Sequence, residues 1–151
     1  MATTADIGRD LGESRFLVDR SKVMELAKTL FDDDPSYLDL EAAREVGFDD
    51  IPVPLTADVL AAHWAEGGAE GRALELGMDL KRLLHGEVSW HYLGLIRCGD
   101  ELVGRTVVDS VTTRQGSRGG TMTLVGLTVE YRNQRGEPVL SRCDTLIETG
   151  A

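Results

Sequence analysis

The chain has 151 residues, 42% of them apolar and 28% charged, which suits one globular domain with a buried core. Its formal net charge is −10 and no basic stripe runs through it, which argues against docking along a nucleic-acid backbone. No apolar run approaches the roughly 20 residues that cross a bilayer, and the start MATTADIGRDLGESR lacks the basic-then-apolar order of a secretory signal, so a cytoplasmic protein is expected.

The first half reads as mostly helical. Glu13 to Val18 is a short strand with Phe16 and Val18 on one face. Asp19 stands where an N-cap belongs, and Val23, Met24, Leu26, Ala27, Leu30 and Phe31 follow at helical spacing as a buried face. That helix is expected to stop at Asp32-Asp33-Asp34-Pro35, because proline disfavours helical geometry in the residue before it. Leu40 to Val46 is a second short helix ended by Gly47. Pro52-Val53-Pro54 must be extended. Thr56 can cap a third helix to about Trp64, apolar nearly all round and therefore buried. Gly67-Gly68 and Gly71 then predict a loose, mobile stretch.

Residues 83 to 149 read as strands. Cys98-Gly99-Asp100 is a tight turn before Glu101 to Thr113. Arg114 to Gly120 is a loop, Thr121 to Tyr131 a β-branched and aromatic strand, and Asn133-Gln134-Arg135-Gly136 a turn. In the last strand Val139, Ser141, Cys143, Thr145 and Ile147 share one face; Leu140, Arg142, Asp144, Leu146 and Glu148 form the other, more polar one. A meander of long antiparallel strands covered by one buried helix is an α+β architecture. Its outer strand must be paired or protected, so an oligomer is expected.

Cys98 and Cys143 show no CxxC spacing and read as free thiols, although a disulfide stays open. His63, His85 and His91 fit no metal-binding spacing, so no metal is expected. The densest polar segment is FDDDPSY, Phe31 to Tyr37. By themselves its three acids cap the following turn or are simply solvated, and the calcium-loop spacing is absent.

The stretch AKTLFDDDPSYLDLEAAREVGFDDIPVPLT resembles the hydratase motif of MaoC-like proteins and (R)-specific enoyl-CoA hydratases. There a helix runs into a GDxNPxH loop, followed by a short helix and a proline-rich entry into the central helix. Leu84-His85-Gly86-Glu87, Arg97-Cys98-Gly99-Asp100 and YRNQRGEPVL follow in the family's order, so the resemblance covers about residues 7 to 148 and implies a hot-dog fold over one domain, residues 1–151.

The resemblance puts Asp32 on the catalytic aspartate, Asp34 on the asparagine, and Phe31 in place of the glycine. Tyr37 stands where the family has its catalytic histidine. A tyrosine titrates near 10, so it is a poor neutral-pH base, though it can donate a hydrogen bond. A backbone donor to the thioester carbonyl is implied near Leu55, Thr56 or Ala57. His85 and Gly86, with Glu87, fall near the inter-subunit groove and could face substrate; a structural role for His85 at the strand entrance is the plainer alternative. His63 reads as a core histidine, and His91 could take either face. No cofactor is expected. Lys81-Arg82 or Arg114 to Arg118 could supply a basic spot for the ligand, and the stretch from Gly67 to Gly77 could set tunnel length.

The implied function is reversible hydration of a trans-2-enoyl to a 3-hydroxyacyl thioester on coenzyme A or an acyl carrier protein. The alternatives are a catalytically incomplete subunit that pairs with an active MaoC-like chain, a non-enzymatic thioester-binding protein, and a diverged biosynthetic enzyme. The Asp-plus-Tyr loop is similar to the non-catalytic subunits of heterodimeric (3R)-hydroxyacyl dehydratases. A homodimer or a heterodimer with a second MaoC-like subunit is the expected assembly.

Overall fold

The computed structural model describes residues 1–64, 68–116 and 120–150, with the backbone alone for 62–64, 68 and 69. Five antiparallel strands form one sheet: β1 Asp10–Leu17, β2 Leu83–Tyr92, β3 Glu101–Gln115, β4 Thr121–Arg132 and β5 Pro138–Glu148. Their order is β1-β3-β4-β5-β2, so β1 and β2 are the edges. The helices are α1 Arg20–Thr29, α2 Leu40–Glu45, α3 Val59–Trp64 and α4 Gly68–Glu75. This is the hot-dog arrangement that the resemblance implies.

Turn chemistry sets the long register. Gly99 (φ 91°) precedes β3, and Gly136 (φ 77°) closes the β4–β5 hairpin by donating to the Asn133 carbonyl at 2.8 Å. The Asn133 side chain accepts the amides of Arg135 and Glu137, so the hairpin is pinned from inside. On β3 and β4, buried Val108, Val125 and Val129 alternate with less buried neighbours.

The β5 strand departs from simple polarity. The more polar of its two faces is the one that turns inward: Leu140, Asp144, Leu146 and Glu148 are buried, while Cys143 is exposed. Glu148 is almost fully covered, with Arg82 donating to its Oε1 at 2.7 Å and its Oε2 without a partner among the described residues, and Asp144 is held by Arg142 at 2.6 Å. Buried charge is tolerated where it is paired.

Three helix expectations need correction. Leu30 is 53% exposed and Phe31 93% exposed, so the buried face of α1 ends at Ala27. The helix is stopped by Phe31, not by Pro35. Phe31 takes φ 57° and donates to the Lys28 carbonyl, while Asp32 donates to the Ala27 carbonyl, the double bond of a Schellman end. Glycine is the usual residue there, since a β-carbon in the left-handed region is crowded.

The second correction concerns residues 68–75. They form α4 in place of a loose stretch, and buried Ala73, followed by buried Leu76 and Met78, packs against Val108 and Val125. Gly67 lies outside the described residues. Third, α3 begins at Val59, and the Thr56 hydroxyl caps no amide among the described residues. Amides 57, 59, 60 and 61 donate three residues back, to the carbonyls of Pro54, Thr56, Ala57 and Asp58.

Asp19 caps α1 as expected, accepting the Ser21 amide at 2.8 Å. Both cysteines are free. Among the described residues no helix is long and apolar enough to cross a membrane.

Several caps titrate. The Ser21 hydroxyl and then its amide hold Asp19 below its ordinary value; the Ser36 hydroxyl and amide do so for Asp34, and the Lys81 amide, then Arg82, for Asp79. A folded pKa below the unfolded one stabilises above the unfolded value and is lost as pH falls through the folded one. The melting temperature should therefore drop between about pH 4 and pH 2. Asp19→Asn keeps a good cap without its charge, so thermal melts of that variant should show a shallower drop. Phe31→Gly relieves the left-handed strain and should stabilise by about 1 kcal/mol, read from chemical denaturation.

Candidate functional site

The loop after α1 is organised by its own acids. Asp32 accepts the Asp34 amide at 3.1 Å, and Asp34 accepts the Ser36 amide at 2.9 Å. Asp34 thereby caps the single turn Pro35–Tyr37, whose Ser36 is buried. Tyr37 is half-buried and its hydroxyl has no hydrogen-bond partner among the described residues. Burial first, then the charges of Asp32 and Asp34, push Tyr37 above its ordinary value. At neutral pH it is a donor.

Tyr37 opens onto a cavity of about 390 Å³. The walls are largely apolar and include Phe16 of β1 with Val18 beyond it, Ile51 to Leu55, Tyr92 of β2 with 94–97 beyond it, Leu102 of β3 and Leu140 of β5. Val18, Leu102 and Leu140 are otherwise sealed in the core, whereas Leu55 and Leu95 are 69% and 70% exposed. Asp49, Asp50 and Arg97 are among the polar members, and Arg20 binds Asp50 at 2.6 Å. A cavity of this size and polarity takes an apolar chain with a few polar attachment points.

The segment Leu55 to Asp58 crosses this cavity just before α3. Leu55, Ala57 and Asp58 line it, while Thr56 does not. The Ala57 amide is already donated to the Pro54 carbonyl at 2.9 Å. That leaves the amides of Leu55, Thr56 and Asp58 without a partner among the described residues. Of the three positions named from sequence, Ala57 is thus the one whose N–H is spent.

Sequence reasoning missed Asp58 and Tyr92. The Tyr92 hydroxyl donates to the Leu55 carbonyl in a short contact. Burial and the neighbouring Asp58 charge push Tyr92 up to about 12. Asp58 is 4% exposed and accepts from Trp90 Nε1 at 2.8 Å and from Arg142 Nη1 at 3.1 Å. Burial raises its pKa, and Arg142 and Trp90 oppose that rise. Arg142 in turn binds Asp144, whose Oδ1 lies 3.2 Å from His85 Nε2. The one sequence signal for Asp58 was a lone carboxylate at the start of an otherwise apolar helix.

His85 and Gly86 lie on edge strand β2 and do not line the cavity. Gly86 sits at a β-bulge, where a β-carbon would come within 2.8 Å of the Ile147 side chain, so packing alone accounts for a glycine there. His91 is exposed on the same strand, and the His63 side chain lies outside the described residues. Arg82 is committed to Glu148 and to Asp79. Arg114 is exposed at the end of β3, while 117–119, which include Arg118, are outside the described residues. The described part of the stretch expected to set tunnel length, α4 and its exit, contributes no cavity wall.

Comparisons with known proteins agree with this fold. A UPF0336 protein of Saccharopolyspora erythraea is 32% identical over 145 residues, covering 95% of this chain and 89% of the relative. The structure of a C-terminally truncated HadBC (3R-hydroxyacyl-ACP dehydratase) complex from Mycobacterium tuberculosis superposes with a TM-score of 0.75, 21% identity, and coverage of 97% of this chain and 99% of that one. An (R)-hydratase from A. caviae involved in PHA biosynthesis superposes with a TM-score of 0.66 at 16% identity, covering 96% and 98%. A family model described as "FAS1-like, dehydratase domain region" matches residues 5–142, and the chain belongs to that family, with a MaoC-like hot-dog fold.

Proposed function

We propose that the chain acts in the reversible hydration of trans-2-enoyl thioesters to 3-hydroxyacyl thioesters, carried by coenzyme A or an acyl carrier protein. The observation that carries this reading is the meeting of three parts at one apolar cavity: Tyr37 of the FDDDPSY loop, the 55–58 turn with its free amides, and a core-lined wall for an acyl chain. Asp32 is exposed five residues before Tyr37 and is not itself part of the cavity wall, but its charge reaches the tyrosine and raises it.

In this mechanism the Asp32 carboxylate takes a proton from water as its oxygen adds to Cβ. The protonated Asp32 then delivers that proton to Cα, so the elements of water are added and the carboxylate is restored. Tyr37 and the loop orient the water by hydrogen bonds. Negative charge on the thioester oxygen as Cα becomes carbanion-like is met by unspent amides of the 55–58 turn. The addition is redox-neutral and calls for no cofactor.

A second reading rests on Tyr37 itself. A loop with a raised tyrosine in place of an imidazole lacks the group that titrates near neutrality. The chain would then hold the acyl group while a second MaoC-like chain does the chemistry. Either assembly is served by the outer edge of β2, where Leu84 and Tyr92 are 54% and 37% exposed.

Hydration of a short trans-2-enoyl-CoA by the purified chain, alone and with a second MaoC-like chain, separates the two. Asp32→Asn is expected to lower kcat by about 10²- to 10⁴-fold. Tyr37→His should raise turnover near pH 7. Turnover that needs the second chain and ignores Asp32→Asn would refute the first reading in favour of the second.

A further inference from the structure

Asp58 lies in the cavity wall, yet both its oxygens are engaged behind the wall, Oδ1 by Trp90 and Oδ2 by Arg142. Ala57 is buried and the carbonyls of 56–58 are bound by the first amides of α3, but few bonds tie the segment to the sheet. Leu55 is mostly in solvent, and the 55–58 backbone is joined to the sheet by the Tyr92–Leu55 bond and by the Asp58 side chain. Trp90 and Tyr92 both belong to β2, and Arg142 to β5. Arg142 cannot swing freely, because Asp144 holds it at 2.6 Å and 3.1 Å. The result is a clamp of two strands on one carboxylate.

Burying a charged pair yields little net stability, but removing either member is costly, so such a pair fixes geometry more than it adds free energy. The geometry fixed here is that of the turn with the unspent amides. We infer that Asp58 is a positioning residue, which holds the 55–58 amides where a thioester carbonyl oxygen is received, and that Trp90 and Arg142 act through it. The inference rests on the hydration reading above. It gives the buried carboxylate a role in kcat without contact to the reacting atoms.

The test uses whichever assembly turns over a short trans-2-enoyl-CoA. Asp58→Ala should lower kcat by about 10²-fold, the scale of a displaced reacting group, with KM within about twofold. Asp58→Asn, which can still accept from Trp90, should recover part of the loss. Hydrogen exchange should quicken in the peptide spanning residues 52–61 and stay unchanged in β3 and β4. Should Asp58→Ala fail to fold, Trp90→Phe removes one donor, and the same readings apply with a smaller loss.

Unchanged kcat in these variants overturns the inference and leaves the hydration reading standing. So does a loss accompanied by faster exchange throughout the sheet, which marks a structural role only. No turnover by the wild type in either assembly, with no binding of an acyl-CoA thioether, overturns the hydration reading itself and the inference with it.

Discussion

A carboxylate enclosed between a sheet and a helix must be matched by donors and cations or give up its charge. Asp58 is matched by Trp90 and Arg142, and Arg142 by Asp144. This set joins the turn before α3 to two strands, one of them the sheet edge. The cavity lies against that turn, so the shape of its polar wall follows from the ion pair behind it. Apolar packing supplies the rest: Val18, Leu102 and Leu140 make a closed side that needs no polar compensation.

The loop between α1 and α2 obeys a different constraint. It is short, and its acids are used on its own backbone, Asp32 on the Asp34 amide and Asp34 on the Ser36 amide. The plain capping role and the chemical role thus fall on the same residues. Asp34 is occupied as a cap. Asp32 makes one local bond and has acceptor capacity to spare. Phe31 begins the loop in a strained conformation, with its ring in solvent. Strain of this kind persists where the surroundings impose it, here through the two bonds that end α1.

Much of this was legible from residue order. The Asp19 cap, the glycine turns at 47, 99 and 136, and the alternation in the strands each have a local cause, and local causes can be read locally. The α4 segment was not legible: three glycines suggested looseness, but Ala73, Leu76 and Met78 find a distant core to fill, and burial outweighs propensity. The inward face of β5 escaped for the same reason, since its charges are neutral to the fold only when Arg82 and Asp58 are in place. Asp58 was invisible as a functional residue because its meaning lies entirely in partners 32 and 84 residues away.

The inverted polarity of β5 bears on how the chain folds. A strand whose inner face is apolar finds its register by burying that face, and a slip of one residue exposes it. On β5 the inward face carries Asp144 and Glu148 beside Leu140 and Leu146, and Val139 of the opposite face is buried as well, so the strand has no simple apolar face to guide it. The Asn133–Gly136 turn sets its register against β4, but seating its inward charges also needs ion pairs spanning 66 and 84 residues, Arg82–Glu148 and Asp58–Arg142. Contacts so distant in sequence carry a high loop-closure cost and form late. Slow consolidation of the last strand, with the candidate site assembled only at that step, is the kinetic counterpart of charge turned inward.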